Sequence, residues 1–181
     1  MCNQFVWRHN LARDGLRNGL VLKGAGGLVE HNRFVGLGGN GIHLGNTPFE
    51  GLAASDYAIR RNVFENCGLL APRHPPPSVY VTFLHGDGAT PLHRNLLIAD
   101  NLFLDNPERP IEIQAAGAVV VTGNRFENHA RAVFRRPVTA AIQLHNVHGA
   151  LVRNNVAADS RLQDLPPLAV APDCTDVRSA P

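Results

Sequence analysis

Apolar and polar residues alternate over short segments throughout the chain, and turn-forming residues close each segment. Gly41-Ile42-His43-Leu44, Pro110-Ile111-Glu112-Ile113 and Ala141-Ile142-Gln143-Leu144 show the pattern. Alternation with a period of two predicts β-strands that bury one face. The chain also contains 17 Gly, 16 Asn and 13 Pro, which are residues typical of turns. The pattern therefore predicts an all-β protein made of many short strands.

The tripeptide Asn-x-Phe recurs along the chain and follows pairs of these strands. Its copies are Asn3-Gln4-Phe5, Asn32-Arg33-Phe34, Asn62-Val63-Phe64, Asn101-Leu102-Phe103 and Asn124-Arg125-Phe126, with a degenerate copy at Asn155-Val156-Ala157. A unit of strand, turn, strand and corner cannot bury its apolar side alone, whereas stacked units can. Residues 1–164 are therefore predicted to form a single-stranded parallel β-helix, a solenoid of about six to seven coils.

Alternate residues of each strand are predicted to point into the solenoid. We expect them to form aliphatic columns, the corner Phe residues to stack inside, and the corner Asn side chains to hydrogen-bond between coils. The predicted inward positions are Leu20, Leu22, Ile42, Leu44, Ile111, Ile113, Ile142 and Leu144.

The residues between those inward positions are predicted to form an outward column. Its members are Val21, His43, either Tyr80 or Thr82, Glu112 and Gln143. Imidazole, hydroxyl, carboxylate and amide groups in one column are suited to hydrogen-bonding a sugar. The alternative is a solvated outer face without a ligand.

Two insertions interrupt the repeat, one between Leu44 and Tyr57 and one between Cys67 and Asn95. Long loops on one side of a solenoid commonly build its binding site. Two carboxylates that face each other across such a groove suit glycoside hydrolysis, and Glu50 and Asp56 are the predicted catalytic pair. The predicted sugar-binding residues are His43, Asn46, His85, Asp87, Glu112 and Gln143.

Charge and cysteine content argue against several other functions. The 17 Lys+Arg and 15 Asp+Glu give a net charge of +2, so nucleic acid and anionic membranes are not predicted partners. Cys2, Cys67 and Cys174 are far apart, which indicates neither a disulfide framework nor a zinc site. His145 and His148 lie on a predicted strand and turn, where their spacing does not converge on a metal, so no metal is predicted.

The two ends of the chain depart from the repeat. Residues 165–181 contain four prolines and no copy of the motif, and they are predicted to be a C-terminal tail: a linker, a strap over the last coil or a disordered end. Asn3-Gln4-Phe5 has the corner pattern with no capping helix before it, so we expect the coils to belong to a longer solenoid. No signal peptide pattern precedes it, and the cellular location is left open.

Residues 17–128 contain a series of segments that resembles a known enzyme family. The segments are Gly19-Leu20-Val21-Leu22, Val29-Glu30-His31-Asn32-Arg33-Phe34, Gly41-Ile42-His43-Leu44-Gly45-Asn46, Phe49-Glu50-Gly51, Ile59-Arg60-Arg61-Asn62-Val63-Phe64-Glu65-Asn66-Cys67, His93-Arg94-Asn95-Leu96-Leu97-Ile98, Asn101-Leu102-Phe103 and Pro110-Ile111. In this order they are similar to the C-terminal half of family 110 glycoside hydrolases.

The resemblance implies a right-handed helix, an oligo- or polysaccharide as the partner, and inverting hydrolysis by carboxylates without a cofactor. Members of the family are bacterial exo-α-1,3-galactosidases, typically secreted or periplasmic. Glu50 is the carboxylate that carries over from the family pattern. Asn46 stands where the family has an aspartate, and the acidic pair of earlier coils would lie before Met1. The resemblance thus supports the fold more strongly than the activity.

Three functions remain open on the sequence. The first is a carbohydrate-active β-helix, a glycoside hydrolase fragment or relative. The second is a non-catalytic β-helix that binds a glycan or serves as a scaffold. The third is a lyase or epimerase acting on uronates, which would need clustered Arg and Lys and often calcium. Lys23 is the single lysine and the arginines are scattered, so the third is disfavoured.

Overall fold

The computed structural model describes residues 4–46, 53–69, 77–83, 92–128, 140–157 and 167–181. These residues form strands and no helix. The strands are β1 (Phe5–Arg8), β2 (Leu11–Arg13), β3 (Leu20–Leu22), β4 (Ala25–Glu30), β5 (Arg33–Leu37), β6 (Ile42–Asn46), β7 (Ser55–Arg60), β8 (Val63–Cys67), β9 (Val79–Phe83), β10 (His93–Ala99), β11 (Leu102–Leu104), β12 (Ile111–Thr122), β13 (Arg125–Glu127), β14 (Ile142–Arg153), β15 (Val156–Ala157), β16 (Leu168–Val170) and β17 (Thr175–Ala180).

The strands stack in parallel on three faces, and each coil contributes one strand to each face. Face 1 contains β3, β6, β9, residues 111–114 of β12, residues 142–145 of β14, and β16. Face 2 contains β1, β4, β7, β10, residues 116–122 of β12, residues 147–153 of β14, and β17. Face 3 is the 6-stranded sheet β2-β5-β8-β11-β13-β15.

Faces 1 and 2 form one 11-stranded sheet because β12 and β14 bend and continue from one face into the other. All of the paired strands are parallel. The prediction of an all-β parallel solenoid is confirmed.

The predicted aliphatic columns fill the interior behind face 1. One column runs in register through Leu20, Ile42, Val79, Ile111, Ile142 and Leu168. The next runs through Leu22, Leu44, Val81, Ile113, Leu144 and Val170. From the second to the fifth coil of face 1 these side chains are fully buried. Each such side chain contributes roughly 1.5–3 kcal/mol by leaving water.

Phe side chains form a second column behind face 3. The ring centroids lie 4.9 Å apart for Phe34 and Phe64, 4.9 Å for Phe64 and Phe103, and 5.2 Å for Phe103 and Phe126. All four rings are inaccessible to solvent. Their spacing follows the distance between stacked strands, so the predicted aromatic column is confirmed.

The first copy of the motif was assigned wrongly. Phe5 pairs with Gly27 in face 2, whereas the corner of the first coil is Asn10, followed by Ala12 opposite Phe34. Trp7 covers Phe34 instead of a fifth Phe, at 5.5 Å between ring centroids. Asn3-Gln4-Phe5 matches the tripeptide, but the register between coils places Phe5 at the start of a face 2 strand.

The corner Asn side chains form a hydrogen-bonded ladder along the solenoid. In each step the Oδ1 atom accepts bonds from the backbone N and the Nδ2 of the preceding Asn. Oδ1 of Asn101 lies 3.0 Å from the backbone N of Asn62 and 3.1 Å from its Nδ2. The remaining steps link Asn10, Asn32, Asn124 and Asn155 in the same way. The amides thus satisfy the buried backbone at a corner where the sheet ladder is interrupted.

Left-handed backbone recurs at equivalent positions of successive coils and turns the chain from face to face. One column of positive φ lies at the start of face 2: Gln4, Gly26, Asp56, Asn95, Ala118, Gly149 and Asp176. A second precedes the Asn ladder: His9, His31, Arg61, Asp100, Gly123 and Asn154. Asn, Asp and Gly tolerate this conformation best, which explains the abundance of turn residues.

The C-terminal residues extend the sheet. Leu168–Val170 and Thr175–Ala180 pair in parallel with β14. These residues are therefore strands next to the last complete coil, and the division into repeats and tail stays a prediction. The proposed division between repeats and tail falls in 158–166, outside the described residues.

Candidate functional site

The predicted outward column of face 1 lies in register. Val21 pairs with His43, His43 with Tyr80, Tyr80 with Glu112, and Glu112 with Gln143. Tyr80, not Thr82, occupies the third position. These residues point outward because each lies between two buried aliphatic positions of its strand. His43, Tyr80 and Gln143 are half-buried and Glu112 is 7% exposed, so the column is not a fully solvated face.

His43 and Tyr80 form a flat aromatic surface on the second and third coils of face 1. Their ring centroids lie 5.5 Å apart and the planes differ by 18°. Nδ2 of Asn18 lies 3.4 Å from Nδ1 of His43. The register of β6 and β9 aligns the two rings, because residues in register stack at the spacing of neighbouring strands. Such a surface combines an apolar face with polar ring atoms.

Glu112 is the centre of a hydrogen-bonded network. Nη1 of Arg109 donates to Oε2 of Glu112 at 2.5 Å, and Nε2 of Gln114 donates to Oε1 at 2.5 Å. The same Nε2 lies 3.3 Å from the Tyr80 hydroxyl. The network therefore connects the aromatic surface with the carboxylate and the guanidinium.

Glu108 adds a second carboxyl group beside the same guanidinium. Its Oε2 lies 3.7 Å from Nη2 of Arg109, and the residue is 7% exposed. Burial raises the pKa of Glu108, the charge of Arg109 opposes this, and the charge of Glu112 adds to it. The result is a buried carboxyl that holds its proton more tightly than an exposed glutamate does.

Sequence reasoning missed Glu108, Arg109 and Gln114. The first two belong to Pro107-Glu108-Arg109-Pro110, which leads directly into a buried strand, and this charged pair was a usable signal. Gln114 lies in a second outward column, opposite His145 in register. Only the first outward column was predicted.

Two buried polar atoms beside this network have no hydrogen-bond partner within the described part of the chain. They are Nε of Arg109 and Oε1 of Gln143. One is a donor and the other an acceptor. Buried polar atoms are normally satisfied by protein, water or ligand, so both mark places where a further group can bind.

Asp56 lies in face 2, where its backbone conformation and hydrogen bonds give it a structural role. It is a left-handed residue at φ 58°, and its partners Ser55 and Asn95 are on face 2 strands. The hydrogen bond from Asn95, which is the larger effect, and that from Ser55 lower the pKa of Asp56. The described structure thus does not bring Asp56 together with Glu112, and its catalytic role stays a prediction.

The structure does not describe the side chains of four other predicted site residues. Glu50, His85 and Asp87 lie outside the described residues. Asn46 is the last residue of β6, and its side chain is likewise outside the description. Their proposed roles remain predictions.

The described ranges contain neither a metal-binding cluster nor a membrane-spanning helix. Within them, no three His, Cys, Asp or Glu side chains are grouped to hold a metal ion. No described segment forms a helix suited to crossing a membrane. Cys67 and Cys174 are free thiols, and burial raises the pKa of Cys67 to about 12.

Comparison with known families agrees with the geometry. The family model described as a right-handed β-helix region matches residues 2–163. Because the match covers most of the chain, the protein belongs to this family, and the predicted right-handed parallel β-helix is confirmed. No curated protein matches the chain.

Proposed function

We propose that the chain is a carbohydrate-active β-helix protein that binds a glycan along the outer surface of face 1. The observation that supports this is the register of His43, Tyr80, Glu112 and Gln143 on four successive coils. A glycan presents hydroxyl groups at regular intervals, and a column of donors and acceptors at strand spacing complements them.

The charges of the network favour a neutral sugar over a uronate. Arg109 contacts Glu108 and Glu112, so its positive charge is already matched by two carboxyl groups. An anionic sugar would add a third acidic group to this surface. A hydroxyl group can donate to a carboxylate and accept from an amide without that repulsion.

The resemblance to family 110 glycoside hydrolases makes α-galactosides the first ligands to test and hydrolysis of O-glycosyl bonds the first activity. The second candidate is non-catalytic glycan binding. It is favoured by the position of Asp56, because the left-handed column of face 2 accounts for this residue without catalysis. Both candidate functions include glycan binding, whereas only the first includes hydrolysis. A turnover assay therefore distinguishes them.

Binding is tested by calorimetric titration of wild type, Tyr80→Ala and Glu112→Gln with galactose-containing oligosaccharides. We expect each variant to bind roughly five- to thirtyfold more weakly, since each loses contacts worth roughly 1–2 kcal/mol. Thr122→Ala, an outward change on face 2, is the matched control and should bind as wild type does. Equal affinity of Tyr80→Ala and wild type would reject face 1 as the site.

Turnover is tested with a panel of p-nitrophenyl glycosides, α-galactoside included, using wild type and Glu50→Gln. Hydrolysis that disappears in the variant would make the chain an enzyme that uses Glu50. Folded, β-rich protein that binds glycans and cleaves none of the panel would be a non-catalytic binding protein.

A further inference from the structure

We propose that Glu108 and Glu112 are the proton donor and the base of a glycoside hydrolysis site on face 1. The inference rests on the proposed glycan binding at this face and goes beyond it by assigning the chemistry. Glu108 was not among the predicted site residues, and Glu112 was predicted as a sugar-binding residue. The pairing is inferred because one guanidinium contacts both carboxyl groups.

One guanidinium holds the two carboxyl groups close to each other. Nη1 of Arg109 lies 2.5 Å from Oε2 of Glu112, and Nη2 lies 3.7 Å from Oε2 of Glu108. The two nitrogens are bonded to the same carbon, so the two carboxyl oxygens are at most about 9 Å apart, and this bound does not exceed the upper end of the separation in glycosidase pairs. Arg109 thereby positions both groups.

The surroundings of the two groups differ, as the acid and base roles require. Glu108 is buried, and burial raises its pKa more than the Arg109 charge and the Arg109 backbone hydrogen bond lower it. Glu112 accepts a short bond from the guanidinium on one oxygen and from the Gln114 amide on the other. Each oxygen of Glu112 retains a further lone pair with which to accept a proton from water.

The reaction balances with water as the second substrate. The proton of Glu108 passes to the glycosidic oxygen as the bond from this oxygen to the anomeric carbon breaks. The oxygen of a water molecule bonds to the anomeric carbon and gives a proton to Glu112. The products are a sugar with a free anomeric hydroxyl and an alcohol, and exchange with solvent returns the proton to Glu108.

The polar atoms without a described partner lie beside these groups. Nε of Arg109 belongs to the bridging guanidinium, and Oε1 of Gln143 belongs to the residue in register with Glu112. A donor and an acceptor on either side of a base can hold one hydroxyl group or the attacking water.

The test compares Glu108→Gln, Glu112→Gln and a matched control, Glu30→Gln. Glu30 is also a buried glutamate paired with an arginine, with Oε2 3.0 Å from Nε of Arg60, but it lies on face 2. The substrates are the methyl and 2,4-dinitrophenyl glycosides of the sugar that wild type cleaves best. Circular dichroism and glycan titration establish folding and binding for every variant.

We expect Glu108→Gln to lose roughly 10²–10⁴-fold in kcat on the methyl glycoside and far less on the dinitrophenyl glycoside, which leaves without a proton. The basic limb of the pH profile should disappear with it, whereas Glu112→Gln should lose activity on both substrates. If Glu108→Gln does not fold, Glu108→Asp replaces it and should keep the basic limb at a reduced rate.

Equal losses in Glu108→Gln and Glu30→Gln, or no loss in Glu108→Gln, would overturn the assignment. Wild type that binds glycans without cleaving them would overturn it too, yet leave the proposed binding function intact. Wild type that binds no glycan would overturn the proposed function itself.

Discussion

Faces 1 and 2 both present buried apolar columns to the core and differ in their exteriors. The outward column of face 1 carries imidazole, phenol, carboxylate and amide groups. Face 2 has one outward column that is apolar through Val6, Leu28, Ala58, Leu97, Val120 and Leu151 and a second that carries Arg8, Glu30, Arg60, Thr122 and Arg153. Inward residues and corners therefore specify the coil, and outward residues are available for chemistry.

The largest effect should come from the Asn ladder, which lies at the corner between faces 2 and 3. Asn101→Ala removes an Oδ1 that accepts from Asn62 and an Nδ2 that donates to the Ile59 carbonyl and to Asn124. Because the partners are left buried and unpaired, we expect about 3–5 kcal/mol less free energy of unfolding. Chemical denaturation followed by circular dichroism measures this.

Asn95→Ala is the matched control, since Asn95 is an exposed asparagine on face 2 with one hydrogen bond from Nδ2 to Asp56 at 2.8 Å. Its loss should cost about 1 kcal/mol, mainly because Ala fits left-handed backbone less well. Similar costs for the two variants would show that the Asn ladder does not dominate corner stability.

The repeat made most of the fold predictable. Period-two alternation and Asn-x-Phe corners were sufficient for the aliphatic columns, the Phe column and the Asn ladder. The error at Asn3-Gln4-Phe5 arose because a tripeptide is local, whereas a corner is defined by its neighbour in the next coil. Asn10 satisfies that definition although Ala12 replaces the Phe, since Trp7 supplies the missing ring.

The site was less predictable than the fold. His43, Glu112 and Gln143 follow from alternation alone. Glu108 and Arg109 precede their strand, and only the folded chain shows that one guanidinium contacts both carboxyl groups. Asp56 was chosen because it is acidic and close to an insertion, but its left-handed backbone is a property of the coil rather than of the sequence pattern.

The free energy of unfolding should depend on pH in opposite directions for Glu108 on face 1 and Asp56 on face 2. Burial raises the pKa of Glu108, so the folded chain holds this proton more tightly than the unfolded chain. Glu108 then contributes stability below the pKa of an unfolded glutamate, and this is lost as the pH rises through the raised pKa. The free energy of unfolding of Glu108→Gln relative to wild type should therefore increase as the pH rises from the pKa of an unfolded glutamate, about 4.3, through the raised pKa of Glu108.

Asp56→Asn on face 2 should show the opposite slope. Hydrogen bonds from Asn95 and Ser55 lower the pKa of Asp56, so its contribution is present above the pKa of an unfolded aspartate and lost as the pH falls. The difference between this variant and wild type should be largest at neutral pH. Slopes of the same sign for the two variants would contradict the contrast between the faces.

The smallest effect concerns the left-handed column at the start of face 2. Ala118 is exposed and has a φ of 53°, between Asn95 in the preceding coil and Gly149 in the next. Asn tolerates this backbone better than Ala and adds no flexibility to the unfolded chain, as Gly would. Ala118→Asn should therefore raise the free energy of unfolding by about 0.5–1 kcal/mol.

Ala58→Asn gives the same substitution in the extended strand β7, in the outward column of the same face. We expect it to be neutral or slightly destabilising, because Asn has a lower strand propensity and no left-handed backbone to favour it. Denaturation midpoints of the two variants, measured side by side, test whether only Ala118→Asn gains stability. A gain in both variants would mean that the left-handed backbone at Ala118 is not the cause of the stabilisation.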